Sequence, residues 1–275
     1  MREPVTGMQR DLIYDLGLHR GEDTQFYLAK GFRVVAIDAN ANLCAEASAR
    51  FAPAVASGRL TILHRAISAQ SGEVTFFKNA KRSEWGTIDP QWAERNRSKG
   101  ANSTRTVVRA STLADVTLEF GVPYFVKIDI EGLDLVALRS LGAAPARPRY
   151  VSIESEKTSF AALEAEFAAL HELGYDRFKI VAQHDVPRQR PPRPPLEGQY
   201  CEHVFEQGAS GLFGEEAPGA WVSAEAALEA YRPIFARYRL IGDATDWRTR
   251  ILRPLARAVG IGAGWYDTHA RLAED

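Results

Sequence analysis

Short apolar runs alternate with helical patterns along most of this chain. An apolar strand ends in Asp15-Leu16-Gly17, and a loop runs through Gly21 into a helix that starts near residues 22–24. A second strand, 34–37, ends in Asp38, and a helix over 42–51 follows, capped by Asn40 or Asn42. Residues 60–64 form a short strand, and 73–77 a further strand or hairpin arm. Residues 106–109 read as strand and 113–120 as a helix ended by Gly121. A buried strand is expected over 124–130. A helix through Leu141, capped by Gly142, then leads to a strand over 150–154. Phe160, Leu163, Phe167 and Leu170 recur at i, i+3, i+7 and i+10, which predicts a helix closed by Gly174. Two late strands are expected at 178–182 and 204–205. A helix over 223–240 and two short helical stretches within 246–275 end the pattern. This alternation predicts an α/β fold, a mostly parallel sheet with helices on both faces.

Two segments interrupt it. Residues 78–104 are polar, basic and carry Trp85 and Trp92, which suits an insertion near the ligand face, covering a ligand or anchoring a loop. Residues 186–198 are rich in proline and arginine and suit a semi-rigid loop, because proline lacks a donor and fixes φ. The expected organisation is one domain over 1–206 and a C-terminal helical extension over 207–275 packed on it. Trp221, Trp247 and Trp265 read as packing residues of that extension.

Composition narrows the function classes. At 275 residues the chain buries a sizeable core. A net charge of -1 gives no reason to expect nucleic acid or an anionic membrane as partner. Cys44 and Cys201 have neither disulfide-framework nor metal-ligand spacing. No signal-peptide core and no run of 18 apolar residues occurs, so the expectation is a cytoplasmic protein in a reducing compartment. The oligomeric state is not legible.

The chemistry begins in the first loop. The dinucleotide fingerprint G-x-G-x-x-G is absent, and D-x-G-x-x-x-G stands in its place, from Asp15 through Gly17 to Gly21. That points away from NAD and towards S-adenosylmethionine, which has no pyrophosphate. Gly17 would let backbone approach a ligand. Asp15 is the candidate for a cationic amino group, and the helix start near Thr24 offers N–H groups to a carboxylate. Asp38, 23 positions after Asp15, can accept both hydroxyls of a ribose. Ala66 and Ile67 follow the third strand, where small apolar residues could pack on an adenine, with a plain loop as the alternative. His19, inside the loop, reads as a ligand-wall residue.

The second strong tract is Lys127-Ile128-Asp129-Ile130-Glu131-Gly132. Buried carboxylates are costly unless paired or bound, so Asp129 and Glu131 are expected to face a ligand at the strand's carboxyl end. The plain alternative is a self-contained ion pair with Lys127. Glu154 ends the neighbouring strand in the same way. Asp129 and Glu154 together could hold a hydroxyl, act as a general base, or bind Mg²⁺ through oxygen. His184, after the strand at 178–182, is a further candidate base, with a solvated loop histidine as its alternative. No H-E-x-x-H, C-x-x-C or G-x-S-x-G motif supports hydrolase readings.

Taken together, YDLGLHRGEDTQFYLAKGFRVVAIDAN, RAIS, YFVKIDIEGLDLVALRSL and VSIES resemble the FkbM family of S-adenosylmethionine-dependent methyltransferases over roughly residues 11–160. The resemblance implies a Rossmann-like class I fold with a seven-stranded sheet whose last strand is antiparallel. It implies methyl transfer, most often to a hydroxyl of a small molecule or sugar. Carried over, Asp15, Gly17 and Gly21 form the methionine-side loop, Asp38 holds the ribose, Ala66 and Ile67 flank the adenine, and Asp129 and Glu131 line the site near the methyl. Leu18-His19-Arg20 departs from the family's usual small or amide residues. The chain starts about ten residues before the first strand, so acceptor recognition is expected from 78–104, 183–200 and the C-terminal segment. Two rival readings are a non-catalytic nucleoside-binding module on the same fold and a nicotinamide-dependent oxidoreductase.

Overall fold

A computed structural model describes residues 7–79, 86–98, 102–156, 159–241 and 265–273. Seven strands form the main sheet: β1 (Met8–Leu16), β2 (Arg33–Asp38), β3 (Leu60–His64), β7 (Val122–Ile128), β8 (Tyr150–Glu154), β9 (Tyr175–Ala182) and β10 (Tyr266–Leu272). Their order is β3-β2-β1-β7-β8-β10-β9. β1, β2, β3, β7 and β8 pair in parallel, and β10 runs antiparallel to both β8 and β9. The chain winds outward one way to β3, then returns to the centre at β7, so β1 and β7 flank the topological switch point. In open α/β sheets that crevice takes the ligand.

Helices cover both faces: α1 (Glu22–Ala29), α2 (Ala41–Arg50), α3 (Ala52–Ala56), α5 (Leu113–Phe120), α6 (Asp134–Ser140), α7 (Phe160–Glu172) and α8 (Ala224–Ile241). The two-residue period of β1 splits its side chains between two apolar layers. Leu12, Tyr14 and Leu16 join a layer with Leu113, Leu138, Phe167 and Tyr231, whereas Ile13 joins one with Phe26, Tyr27, Phe205 and Phe213. Local signals set the helix ends. Asn40 Oδ1 accepts from Asn42 N–H at α2, Thr112 caps α5 and Ser159 caps α7.

A second sheet, β4 (Ala66–Ile67), β6 (Ser103–Ser111) and β5 (Gly72–Asn79), stands beside the main one. β5 and β6 pair antiparallel from Gly72↔Ala110 to Asn79↔Ser103, so the polar insertion is the far end of a long hairpin. It carries α4 (Pro90–Ser98). Trp85 lies outside the described residues.

Several expectations need correction. β7 stops at Ile128 rather than residue 130, because the backbone turns to give the Ile130 and Gly132 N–H groups to the Asp134 carboxylate at 3.0 and 3.1 Å. Gly142 does not cap α6; it lies inside a 3-10 turn, Leu141–Ala143. Residues 204–205 are not strand: Phe205 packs its ring 4.7 Å from Phe26. The helical ending expected over 246–275 is wrong at Tyr266–Leu272, where β10 is inserted between β8 and β9 in the main sheet. The rest of that stretch up to residue 264, Trp247 included, lies outside the described residues. Trp221 packs as expected, stacked on Tyr150 at 5.8 Å. Both cysteines are free. No helix among the described residues is long and apolar enough to cross a membrane.

Candidate functional site

A cavity of about 410 Å³ opens at the carboxyl ends of the parallel strands. Gly17 to Arg20 form its floor after β1. Asp38 and Ala39 stand at the end of β2, Arg65 to Ile67 follow β3, and Lys127 and Asp129 to Glu131 close β7. Gly86 to Ile88 of the insertion, Gln207-Gly208 and Trp265 complete the walls.

The loop after β1 is held by packing. Gly17 has φ +83°, and its N–H and that of Leu18 both donate to the Ile37 carbonyl, at 2.9 and 3.1 Å. A methyl group on Gly17 would stand 1.9 Å from the Asp129 carbonyl oxygen. The glycine therefore lets the ends of β1 and β7 close together; it also lines the cavity. Gly21, the N-cap of α1 at φ +81°, does not line the cavity; a Cβ there would meet the Phe51 ring at 2.5 Å. His19 is left-handed at φ +49° and lines the wall, with Nδ1 3.5 Å from Glu22 Oε1.

Asp38 ends β2 and lines the cavity. Its Oδ2 accepts the His19 backbone N–H at 3.0 Å and its Oδ1 accepts that of Asn40 at 2.8 Å. Burial raises its pKa, against the pull of those two N–H groups. Each oxygen keeps a lone pair for a further donor. Ala66 and Ile67 are buried and form the adjacent apolar wall.

Asp15 and Thr24 depart from expectation. Neither lines the cavity. Asp15 is 1% exposed; Thr24 Oγ1 donates to its Oδ2 at 2.6 Å, and Lys127 Nζ stands 3.3 Å from its Oδ1. Lys127 also donates to the Gly17 carbonyl at 2.9 Å and lies 3.7 Å from both Asp23 and Asp129. Burial alone would lower the Lys127 pKa, but Asp15, Asp129 and Asp23 together raise it, so it stays an ammonium ion. The Lys127 ion pair thus exists alongside a carboxylate at the cavity. Asp15 is held inside the fold, Asp23 is buried on the cavity wall, and the Asp129 side chain is 44% exposed at the cavity.

Glu131 lines the cavity at φ +53°, and its carbonyl accepts from Thr87 Oγ1 at 2.8 Å. Trp92 of α4 fills the space a Cβ on Gly132 would take, 2.6 Å from its Nε1, so this tryptophan pins the insertion to the rim. Glu154 and His184 do not line the cavity. Glu154 pairs in register with Asp267 of β10. His184 is a half-exposed histidine in the turn after β9, 3.5 Å from Asp185. Among the described residues no group of three His, Cys, Asp or Glu side chains could hold a metal ion, so the Mg²⁺ reading gains no donor set.

Three features were missed. Asp23 lines the cavity, accepts from the Ser210 N–H and Oγ at 2.8 and 2.9 Å, and is pushed by burial up to about 6 against the opposing pull of Lys127. Its signal was the acidic first turn of α1. Gln207-Gly208 carried no motif. Trp265 was read as packing, yet it is 47% exposed on the cavity wall.

The donor set suits a nucleoside with a charged tail. A carboxylate stands at β2, an apolar wall at Ala66-Ile67, and mixed charges at Asp23, Lys127 and Asp129. The model of the methyltransferase FkbM domain matches residues 15–177. No curated protein matches the chain. Among solved structures the chain is similar to a putative sarcosine dimethylglycine methyltransferase from Galdieria sulphuraria, at 9% identity over 96% of this chain and 78% of that one, TM-score 0.39. It is similar to a SAM-dependent methyltransferase from Geobacter sulfurreducens in complex with S-adenosyl-L-homocysteine, at 12% identity over 98% and 87%, TM-score 0.37. A SAM-dependent methyltransferase from Archaeoglobus fulgidus is also similar, at 11% identity over 97% and 87%, TM-score 0.37. With the domain model spanning more than half of its length, the chain belongs to the FkbM methyltransferase family.

Proposed function

We propose that this methyltransferase moves the methyl group of S-adenosylmethionine to a hydroxyl oxygen of a small molecule or sugar. One observation carries the reading: a single cavity joins Asp38 at the end of β2 to Asp129 beyond β7, with Ala66-Ile67 as its apolar wall. Bound S-adenosylmethionine supplies an electrophilic methyl on a sulfonium. Asp38 holds the ribose hydroxyls, and Ala66 and Ile67 pack on the adenine. Lys127, Asp23 and the Gly17-Leu18 backbone address the methionine end.

The residues' main task is alignment, because a near-attack geometry supplies much of the rate. Asp129 is the base we favour over Glu154 and His184, since of the three it alone lines the cavity. Its carboxylate takes the hydroxyl proton as the new O–C bond forms. Lys127, 3.7 Å away, orients Asp129. In this reading the acceptor binds over β7, β8 and β10, towards Glu131, Gln207 and Trp265 and away from the ribose at β2, which the strand order and the cavity lining support.

A crystal structure with S-adenosylhomocysteine tests this. The reading requires the ribose at Asp38 and the sulfur facing Asp129. A nucleoside in the reverse direction, or one bound outside this cavity, would refute it.

A further inference from the structure

The described tryptophans are not used alike. Trp221 stacks on Tyr150, donates its Nε1–H to Glu215 at 2.8 Å and has Lys179 Nζ 4.5 Å from its ring centre. Trp92 packs on Gly132 and holds the Arg95 guanidinium 4.1 Å from its ring. Trp265 differs from both. Among the described residues no ring or cation packs on its indole, and its Nε1–H has no acceptor. Nearly half of it is exposed, and that exposed surface is cavity wall. An indole is a large apolar surface with a single donor, and a fold gains little by leaving one uncovered.

The backbone beneath it is fixed. The Trp265 carbonyl accepts the Gln183 N–H at the end of β9, and the Tyr266 carbonyl accepts the Ser155 N–H at the end of β8, both at 3.0 Å. The indole therefore stands at the carboxyl edge beside β8, across the sheet from Asp38 on β2. Gln207 lines the same cavity with an amide that offers both donors and an acceptor. Its loop is tied down where Ser210 donates to Asp23. Both residues lie beyond the stretch 15–177 matched by the family model, whereas Gly17, Asp38, Ala66 and Ile67 lie within it. Charge narrows what can approach this wall. Lys127 is already shared by Asp15, Asp23 and Asp129, so an acceptor with its own carboxylate or phosphate would set a further negative charge against Asp129.

We propose that Trp265 sets acceptor specificity: its indole takes a flat ring face without negative charge, and so turns a hydroxyl of that ring towards Asp129. The face is the C–H side of a hydroxylated ring such as a pyranose, or the π side of a phenol. The Gln207 amide bonds a polar group at the ring's edge. A few polar groups around an aromatic wall is the usual make-up of a site that orients a small molecule. The inference rests on the methyltransferase reading above and adds to it the residue that selects the acceptor. Trp265 touches the acceptor, not the reacting bond.

Ligand-observed NMR titrations of the full chain, loaded with S-adenosylhomocysteine, test this with three probes: neutral methyl hexopyranosides, the corresponding methyl hexuronides, and phenol. The expected result is binding of a neutral probe, with the pyranoside naming the C–H face and phenol the π face. The hexuronide should bind at least about tenfold more weakly than its neutral parent. Trp265→Ala should weaken the bound probe about tenfold, and Trp265→Phe should keep most of the affinity. In both variants the Kd for S-adenosylhomocysteine should stay within about threefold of wild type, which also shows that they fold. Three results overturn the inference: no neutral probe binds, the hexuronide binds as well as its parent, or probe binding is unchanged in Trp265→Ala. A parallel loss of S-adenosylhomocysteine affinity in Trp265→Ala, with Trp265→Phe normal, would move the residue to the cofactor and overturn it too. Failure of the wild-type chain to bind S-adenosylhomocysteine is a different outcome, and refutes the methyltransferase reading itself.

Discussion

Lys127 reaches from β7 to within 3.3 Å of Asp15 on β1, and that contact joins the two strands that flank the switch point. Both side chains are at most 6% exposed. Removing one partner of such a pair leaves an uncompensated buried charge. Lys127→Met should therefore destabilise the fold by about 3–5 kcal/mol, read from urea unfolding. Adding Asp15→Asn should recover part of the loss, because the stranded charge is gone. If the double variant is no more stable than Lys127→Met, the pair is not what supports the strand ends.

Gly17→Ala combines two penalties. The residue sits at φ +83°, and the added methyl would stand 1.9 Å from the Asp129 carbonyl. A left-handed L-residue costs roughly 1–2 kcal/mol, and overpacking adds about 1–3 kcal/mol. Both stability and S-adenosylhomocysteine affinity should fall, since the wedge pushes the cavity floor off β7. Wild-type behaviour in both measurements would show that the loop tolerates a side chain.

The insertion is expected to serve the acceptor. Gly86 to Ile88 line the cavity and Trp92 packs on Gly132, while Asp38, Ala66 and Ile67 reach the cavity from other elements. Joining β5 to β6 by a short turn in place of 80–102 should raise the acceptor KM or abolish transfer. The Kd for S-adenosylhomocysteine should change by less than about threefold. Equal losses in both would contradict this division.

Stability should fall between pH 6.5 and 8.5. Glu166 is pushed up from 4.5 to about 8 by burial, and Asp134 and Glu197 to about 7 for the same first reason. Between its ordinary value and its folded value, each of these groups binds more protons in the folded state than in the unfolded chain. Rising pH therefore removes stability across that range. His269, lowered by burial to about 3, acts oppositely, but only below its ordinary 6.5. Urea midpoints at pH 6.5 and 8.5 check this, and Glu166→Gln should flatten the slope. A slope unchanged by that substitution would remove Glu166 from the account.

The alternating strands and helices up to residue 182 were legible because each burial stripe is local: Leu60–His64, Leu113–Phe120 and Tyr150–Glu154 fall where the pattern put them. β10 was not legible, since YDTHARL acquires its place only between β8 and β9, far away in sequence. The position of Asp38, at the end of β2 on the cavity wall, was readable from its spacing. The roles of Asp15 and Lys127 were not. A charge at a strand end signals a ligand or an internal pair with equal force, and only the packing of Lys127 against Gly17 and three carboxylates separates the two. Trp265 was misread for a related reason: its position on the cavity wall depends on β10.

The central claim is that this cavity takes S-adenosylmethionine through Asp38. Calorimetric titration of S-adenosylhomocysteine and of NAD into the wild-type chain and Asp38→Ala tests it most directly. The account predicts saturable binding of S-adenosylhomocysteine, no binding of NAD, and an affinity at least about tenfold weaker in Asp38→Ala, the loss of hydrogen bonds to a charged group. Binding of NAD in preference, or an unchanged S-adenosylhomocysteine affinity in Asp38→Ala, would contradict it.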